Sequence, residues 1–182
     1  MAAPSFDPTH AVRFDLQRGS VRTRGDDGRV VLVPVGALDE LVRSAPAGAV
    51  EVMGRALGSA IGRRAAGRMG DPQAASVEAF VAQLAGEAAV AGVGGLSVER
   101  WGRALVIVVA GSPLGEALLA PLLAGAIEAS SGRRASCVLL SRDDGALRFL
   151  VAGEQSAARV RDWVAEGMRW SDALGRLHGG KP

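Results

Sequence analysis

Three glycines, Gly54, Gly58 and Gly62, recur at every fourth position inside a stretch that otherwise reads as helix. Beside them Val50, Met53, Leu57, Ile61 and Ala65 recur every three or four residues, which predicts an amphipathic helix from Ala47 to Met69. An interior glycine costs a helix about 1 kcal/mol relative to alanine, so three on one line call for compensation. A stripe without side chains lets another backbone or a flat ligand come close. A chain with this helix must bring something onto it: a helix of its own, a second subunit or a ligand. The residues expected to form that packing surface or pocket are Gly54, Leu57, Gly58, Ile61 and Gly62, with Leu122 and Ala126 from an apolar helix further on. Arg55, Arg63, Arg64 and Arg68 remain for a solvated face.

The rest of the chain supplies both kinds of element. Ala11–Leu16 and Val30–Val35 flank the polar Gly25-Asp26-Asp27-Gly28, a turn signal, and predict two or three short strands. A short helix is expected over Gly36–Arg43, broken by Ser44-Ala45-Pro46. Gly70-Asp71-Pro72 ends the glycine helix, and a further helix is expected over Ser76–Ala91. The connector Gly92-Val93-Gly94-Gly95 lacks the dinucleotide-binding glycine pattern and precedes a strand. Leu96–Trp101 and Ala104–Ala110 predict one hairpin about Gly102-Arg103. Arg134–Leu140 and Ala146–Ala152 predict a second about Asp143-Asp144-Gly145. Between them lies an apolar helix, Leu118–Ser130, with Pro121 expected in its first turn. A final helix over Glu154–Leu177 carries two stripes. The second of these, Trp163, Trp170 and Leu177, is read as an interface. The fold class is therefore α+β: a twisted antiparallel sheet with helices mainly on one face and an N-terminal β-hairpin extension. Residues 1–10 and 178–182 are expected as tails about a single domain over 11–177, with 11–46 as the hairpin and short helix and 47–177 as the core.

Composition removes several classes of function. The 182 residues are 48% hydrophobic and 22% charged, with 25 Gly and 8 Pro, a globular mix. The net charge is +2 and Tyr is absent, which argues against a nucleic-acid surface. A single cysteine, Cys137, excludes an internal disulfide and a cysteine-rich metal site; inside a predicted strand it reads as a structural thiol. His10 and His178 lie near opposite ends, so no metal centre and no cofactor is expected. Gly111-Ser112-Pro113-Leu114-Gly115 is not a nucleophile elbow, and no catalytic set appears. The N-terminus lacks a secretory pattern, and the apolar run Ala117–Ile127 is shorter than the about 20 residues that a spanning helix needs. A cytoplasmic, non-enzymatic protein without a transmembrane segment is expected.

The order of elements from Gly54 to Val151 resembles the 4-vinyl reductase domain family, whose fold is shared with the TRAPP subunits of Golgi tethering and with haem-type nitric-oxide sensor domains. The residues that carry the resemblance are Gly54-Arg-Ala-Leu-Gly58-Ser-Ala-Ile-Gly62, Val98-Glu-Arg-Trp101-Gly102-Arg-Ala-Leu-Val106, and Ser112-Pro113 leading into Leu122-Leu-Ala-Gly125-Ala-Ile127-Glu128. The closing hairpin Val138–Val151 completes it. Many members carry a cysteine pair across that hairpin, where this chain has Leu139 and Leu147. The haem-ligand histidine of the sensors has no counterpart either. What the resemblance implies is a twisted sheet covered by helices, dimerisation through helices and, in some members, an apolar pocket for a hydrocarbon, acyl or tetrapyrrole-like ligand. The first expectation is a dimeric scaffold or adaptor domain, with a homodimer or a related protein as partner in a small-GTPase-linked or regulatory assembly. The alternative is a sensor or carrier of an apolar small molecule.

Overall fold

The structure is a computed structural model and describes residues 6–9, 11–24, 28–69 and 76–179. The expected turn at Gly25–Asp27, the break at Gly70-Asp71-Pro72, His10 and the outermost tail residues lie outside the described residues. The amino-terminal part forms a small antiparallel sheet of β1 (Val12–Asp15), β2 (Ser20–Thr23) and β3 (Arg29–Val30), followed by α1 (Val35–Ser44). Then come α2 (Ala47–Gly67), α3 (Val77–Val90), β4 (Gly95–Trp101), β5 (Ala104–Ala110), α4 (Glu116–Ser131), β6 (Ser136–Asp143) and β7 (Ala146–Ala152). The chain closes with α5 (Glu154–Ala165) and α6 (Trp170–Leu177). The α+β class is as the sequence predicts.

The main sheet is antiparallel in the order β4-β5-β7-β6, so the two hairpins join through β5 and β7. Turn chemistry fixes both: Gly102 at φ 60° turns the first, and Asp144 at φ 50° with Gly145 at φ 75° turns the second. Side chains alternate across the sheet. Ile107, Val109, Cys137 and Phe149 face one way and meet Ile61, Leu84, Leu119, Leu122 and Leu123 of α2, α3 and α4. Val106, Leu140 and Leu150 face the other way and meet Val160 of α5 and Ala173 and Leu174 of α6. Three helices cover one face and two shorter ones the other.

Four local expectations are corrected. The last helix is two: Gly167 at φ 90° breaks it, and the Met168 amide donates to the Trp163 carbonyl, a left-handed helix cap. Pro121 is not in a first turn, because α4 starts at Glu116 and the proline falls inside the helix. Its ring cannot donate to the Ala117 carbonyl, and it occupies the space left by Gly54, where a Cβ would come within 2.7 Å of the Pro121 Cγ. Leu57 is not part of the buried face but 42% exposed. The buried line of α2 runs through Val50, Gly54, Gly58, Ile61, Gly62 and Ala65, and Arg64, expected on the solvated face, is buried as well, where it pairs with Glu87 of α3.

The glycine stripe is filled by α4. A Cβ at Gly58 would sit 2.7 Å from the Leu122 carbonyl carbon, and one at Gly62 would sit 2.9 Å from the Ala126 Cα. The fit is mutual, since a Cβ at Gly125 of α4 would sit 2.8 Å from the Arg55 Cα. The compensation for three helix-weakening residues is thus a backbone-on-backbone crossing within one chain. That crossing leaves no room for a ligand groove along the stripe.

Candidate functional site

Beside the glycine crossing, further residues of α2 and α4 border a cleft. On α4, Ala117, Ala120, Pro121, Ala124 and Glu128 follow helical spacing and share one face. On α2, Ala47, Val50, Glu51 and Arg55 do the same; on α5, so do Glu154, Ala158 and Arg161. The start of β6, with Ala135, Ser136 and Cys137, forms the floor between α4 and α5. Val42 and Ala45 at the end of α1 close one side. The result is a cleft of about 1010 Å³. Seven of its lining residues are alanines, and their small side chains leave the space open. A drug-sized ligand site has a volume of roughly 300–1,000 Å³ and joins apolar walls to a few placed polar groups.

The polar groups are partly fixed. The Arg55 Nη1 donates to Glu128 Oε2 at 2.9 Å, and its Nε donates to Glu51 at 3.3 Å. The other Glu128 oxygen accepts the Ala135 amide at 3.0 Å, which ties the entry of β6 to α4. Burial of the Arg55 guanidinium works against its charge, but hydrogen bonding to Glu51 and the charge of Glu128 outweigh it and raise its pKa. Burial pushes the Cys137 thiol up to about 12; the Arg55 charge opposes this and Glu128 reinforces it. A thiol so held is no nucleophile at neutral pH. Glu154 stands in the first turn of α5, where the helix dipole favours a carboxylate. Arg134 and Arg161, on the wall formed by the β6 entry and α5, make no hydrogen bond or ion pair among the described residues. No group of three or more His, Cys, Asp or Glu that could hold a metal occurs among the described residues.

The residues expected from the sequence lie elsewhere. Gly54, Gly58, Ile61, Gly62, Leu122 and Ala126 are buried in the α2–α4 crossing and the core around it. Trp163, Trp170 and Leu177 are half-buried against the chain's own sheet, with Trp170 edge-on to Trp101 at a centroid distance of 4.7 Å. The cleft residues Arg134, Ala158 and Arg161 carry no motif. The signal that could have found the cleft is the alanine spacing on α4, Ala117, Ala120 and Ala124, small residues repeated where a core helix would use Leu. The α1 helix has no buried residue, and no described helix is long and apolar enough to cross a membrane.

The crystal structure of the phenol-responsive sensory domain of the transcription activator PoxR with phenol matches 97% of this chain and 100% of that domain. The TM-score is 0.62 and the identity 16%. The two proteins share a fold at that level of likeness. No family model and no curated protein sequence matches the chain.

Proposed function

We propose that this chain is a non-enzymatic sensory or carrier domain whose small-molecule ligand lies in the cleft between α2, α4, α5 and the entry of β6. The observation that carries this reading is the alanine-lined space itself, about 1010 Å³. The fold shared with a domain that responds to phenol supports it. The resemblance to the 4-vinyl reductase domain family points the same way, toward the members with an apolar pocket. A cytoplasmic setting, with Cys137 reduced, belongs to the same proposal. Native mass spectrometry of the chain purified from its own cells tests it. A retained small molecule is expected on the wild type and not on Ala158→Phe, which fills the cleft from α5. An identical bound mass on both proteins, or none on either, counts against the reading.

A homodimer is a second element of the proposal, supported by a different surface. Leu16, Val31 and Leu32 are 90%, 84% and 71% exposed. They lie about the small β1–β3 sheet and the segment that leads from it into α1, and the strands of that sheet pack chiefly on one another. A second copy covering this sheet and segment would remove the apolar surface from water. Light scattering at micromolar concentration should give twice the monomer mass for the wild type and the monomer mass for Leu16→Glu/Leu32→Glu. A monomeric wild type overturns it.

A further inference from the structure

The strand β3 has an open side. The small sheet runs β1-β2-β3, β3 pairs with β2 through Arg29 and Val30, and no described strand pairs with its other side. Beyond Val30 the chain continues as Val31-Leu32-Val33 before Pro34, without a charge, and these three side chains are 84%, 71% and 56% exposed. Natural edge strands are blunted by charge, by bulges or by a covering element. This run is uncharged and rich in β-branched residues, the composition that pairs most readily. A bare backbone edge calls for a strand, since only a strand returns a ladder of hydrogen bonds together with apolar cover. An apolar row of the sheet also ends here. Phe14 stands opposite Val21 and Val21 opposite Val30, so the three share a face, and alternation from Val30 adds Leu32 once the run is paired.

We propose that this edge is filled by the same edge of a second copy. The Val31–Val33 runs pair antiparallel about a twofold axis at Leu32 and join the two three-stranded sheets into one. A twofold contact needs a segment that matches itself in reverse, and Val31-Leu32-Val33 reads the same in both directions. The register that uses the whole run sets Leu32 against Leu32 of the second copy, Val31 against Val33 and Arg29 against Val35, so no charge opposes a like charge. This inference rests on the homodimer reading and adds how the two copies meet.

Cross-linking and hydrogen exchange test it. Cys137 is buried, so an added surface thiol reports on its own position. Under mild oxidation Leu32→Cys should form a disulfide-linked dimer about tenfold or more faster than Leu16→Cys, because Leu16 follows β1, the strand at the opposite edge of the sheet. Hydrogen exchange on the wild type gives a readout free of substitutions. Amides within Val31–Val33 should be protected at concentrations where light scattering gives the dimer mass, and should lose that protection in the monomer reached by dilution. If the chain is a dimer but Leu16→Cys cross-links as fast as Leu32→Cys, or the Val31–Val33 amides exchange as freely in the dimer as in the monomer, the edge pairing is overturned and the homodimer stands. A wild type that is monomeric at micromolar concentration overturns the homodimer and this inference with it.

Discussion

Gly58 of α2 lies directly against the backbone of Leu122 in α4, so close that a Cβ at 58 would sit 2.7 Å from the Leu122 carbonyl carbon. The obstacle is backbone, which cannot rotate away as a side chain can. Gly58→Ala should therefore force the helices apart and destabilise the chain by about 2–3 kcal/mol, the scale of overpacking a tight core. Gly48, on the same helix with open space around it, is the control. Gly48→Ala should stabilise by about 0.5–1 kcal/mol through helix propensity and unfolded-state entropy. Urea denaturation of both variants checks the pair, and equal effects of one sign would refute the packing account.

Glu87 is 1% exposed and accepts from Arg64 Nε at 2.8 Å and Arg68 Nε at 2.6 Å. Removing the carboxylate takes this partner from the buried Arg64 and from Arg68. Glu87→Leu should cost about 3–5 kcal/mol, whereas the double variant Arg64→Leu/Glu87→Leu should recover part of that loss. A double-variant cycle in denaturant measures it. A purely additive result would mean that the pair is not coupled.

Cys137 makes stability depend on pH on the alkaline side. The unfolded thiol titrates near its ordinary value of 9.0 and the folded one near 12. Between those values the unfolded chain has released the proton and the folded chain keeps it, so stability falls as pH rises through that window. Cys137→Ala should lack this component, and the wild type should lose stability relative to it from pH 9 upward. Maleimide labelling of the folded protein at pH 8 should be far slower than that of the unfolded chain. Rapid labelling in native buffer would show that the thiol is not held as described.

Much of this architecture is legible in the residues. Asp-Gly and Gly turns bounded by β-branched runs locate both hairpins, and the expected strands lie within a few residues of those observed. The glycine stripe announces a close crossing. What the sequence does not say is which of three occupants fills it, because that depends on the path of α4 back across α2. Pro121 misleads because proline favours first turns; here the missing amide is tolerated deeper in the helix, with the ring seated on Gly54. Leu57 misleads because hydropathy counts glycine as neutral, which shifts the apparent apolar face away from the line that is buried. Trp163, Trp170 and Leu177 read as a surplus stripe only while the second sheet face has no cover of its own. The cleft is harder still. Its lining comes from four helices and one strand end, and its most telling feature is the small size of its alanines, which no local pattern marks as a site.

The central claim is that the alanine-lined cleft is where a small molecule binds, and amide chemical-shift mapping on the isotope-labelled chain tests it most directly. Titration with octanoate should move the amides of Val50, Arg55, Ala120, Ala124, Ser136 and Ala158 together, saturably, with the β4 and α6 amides unmoved. Shifts confined to the exposed arm around Leu16 and Leu32, or no saturable shift at the cleft, would contradict it.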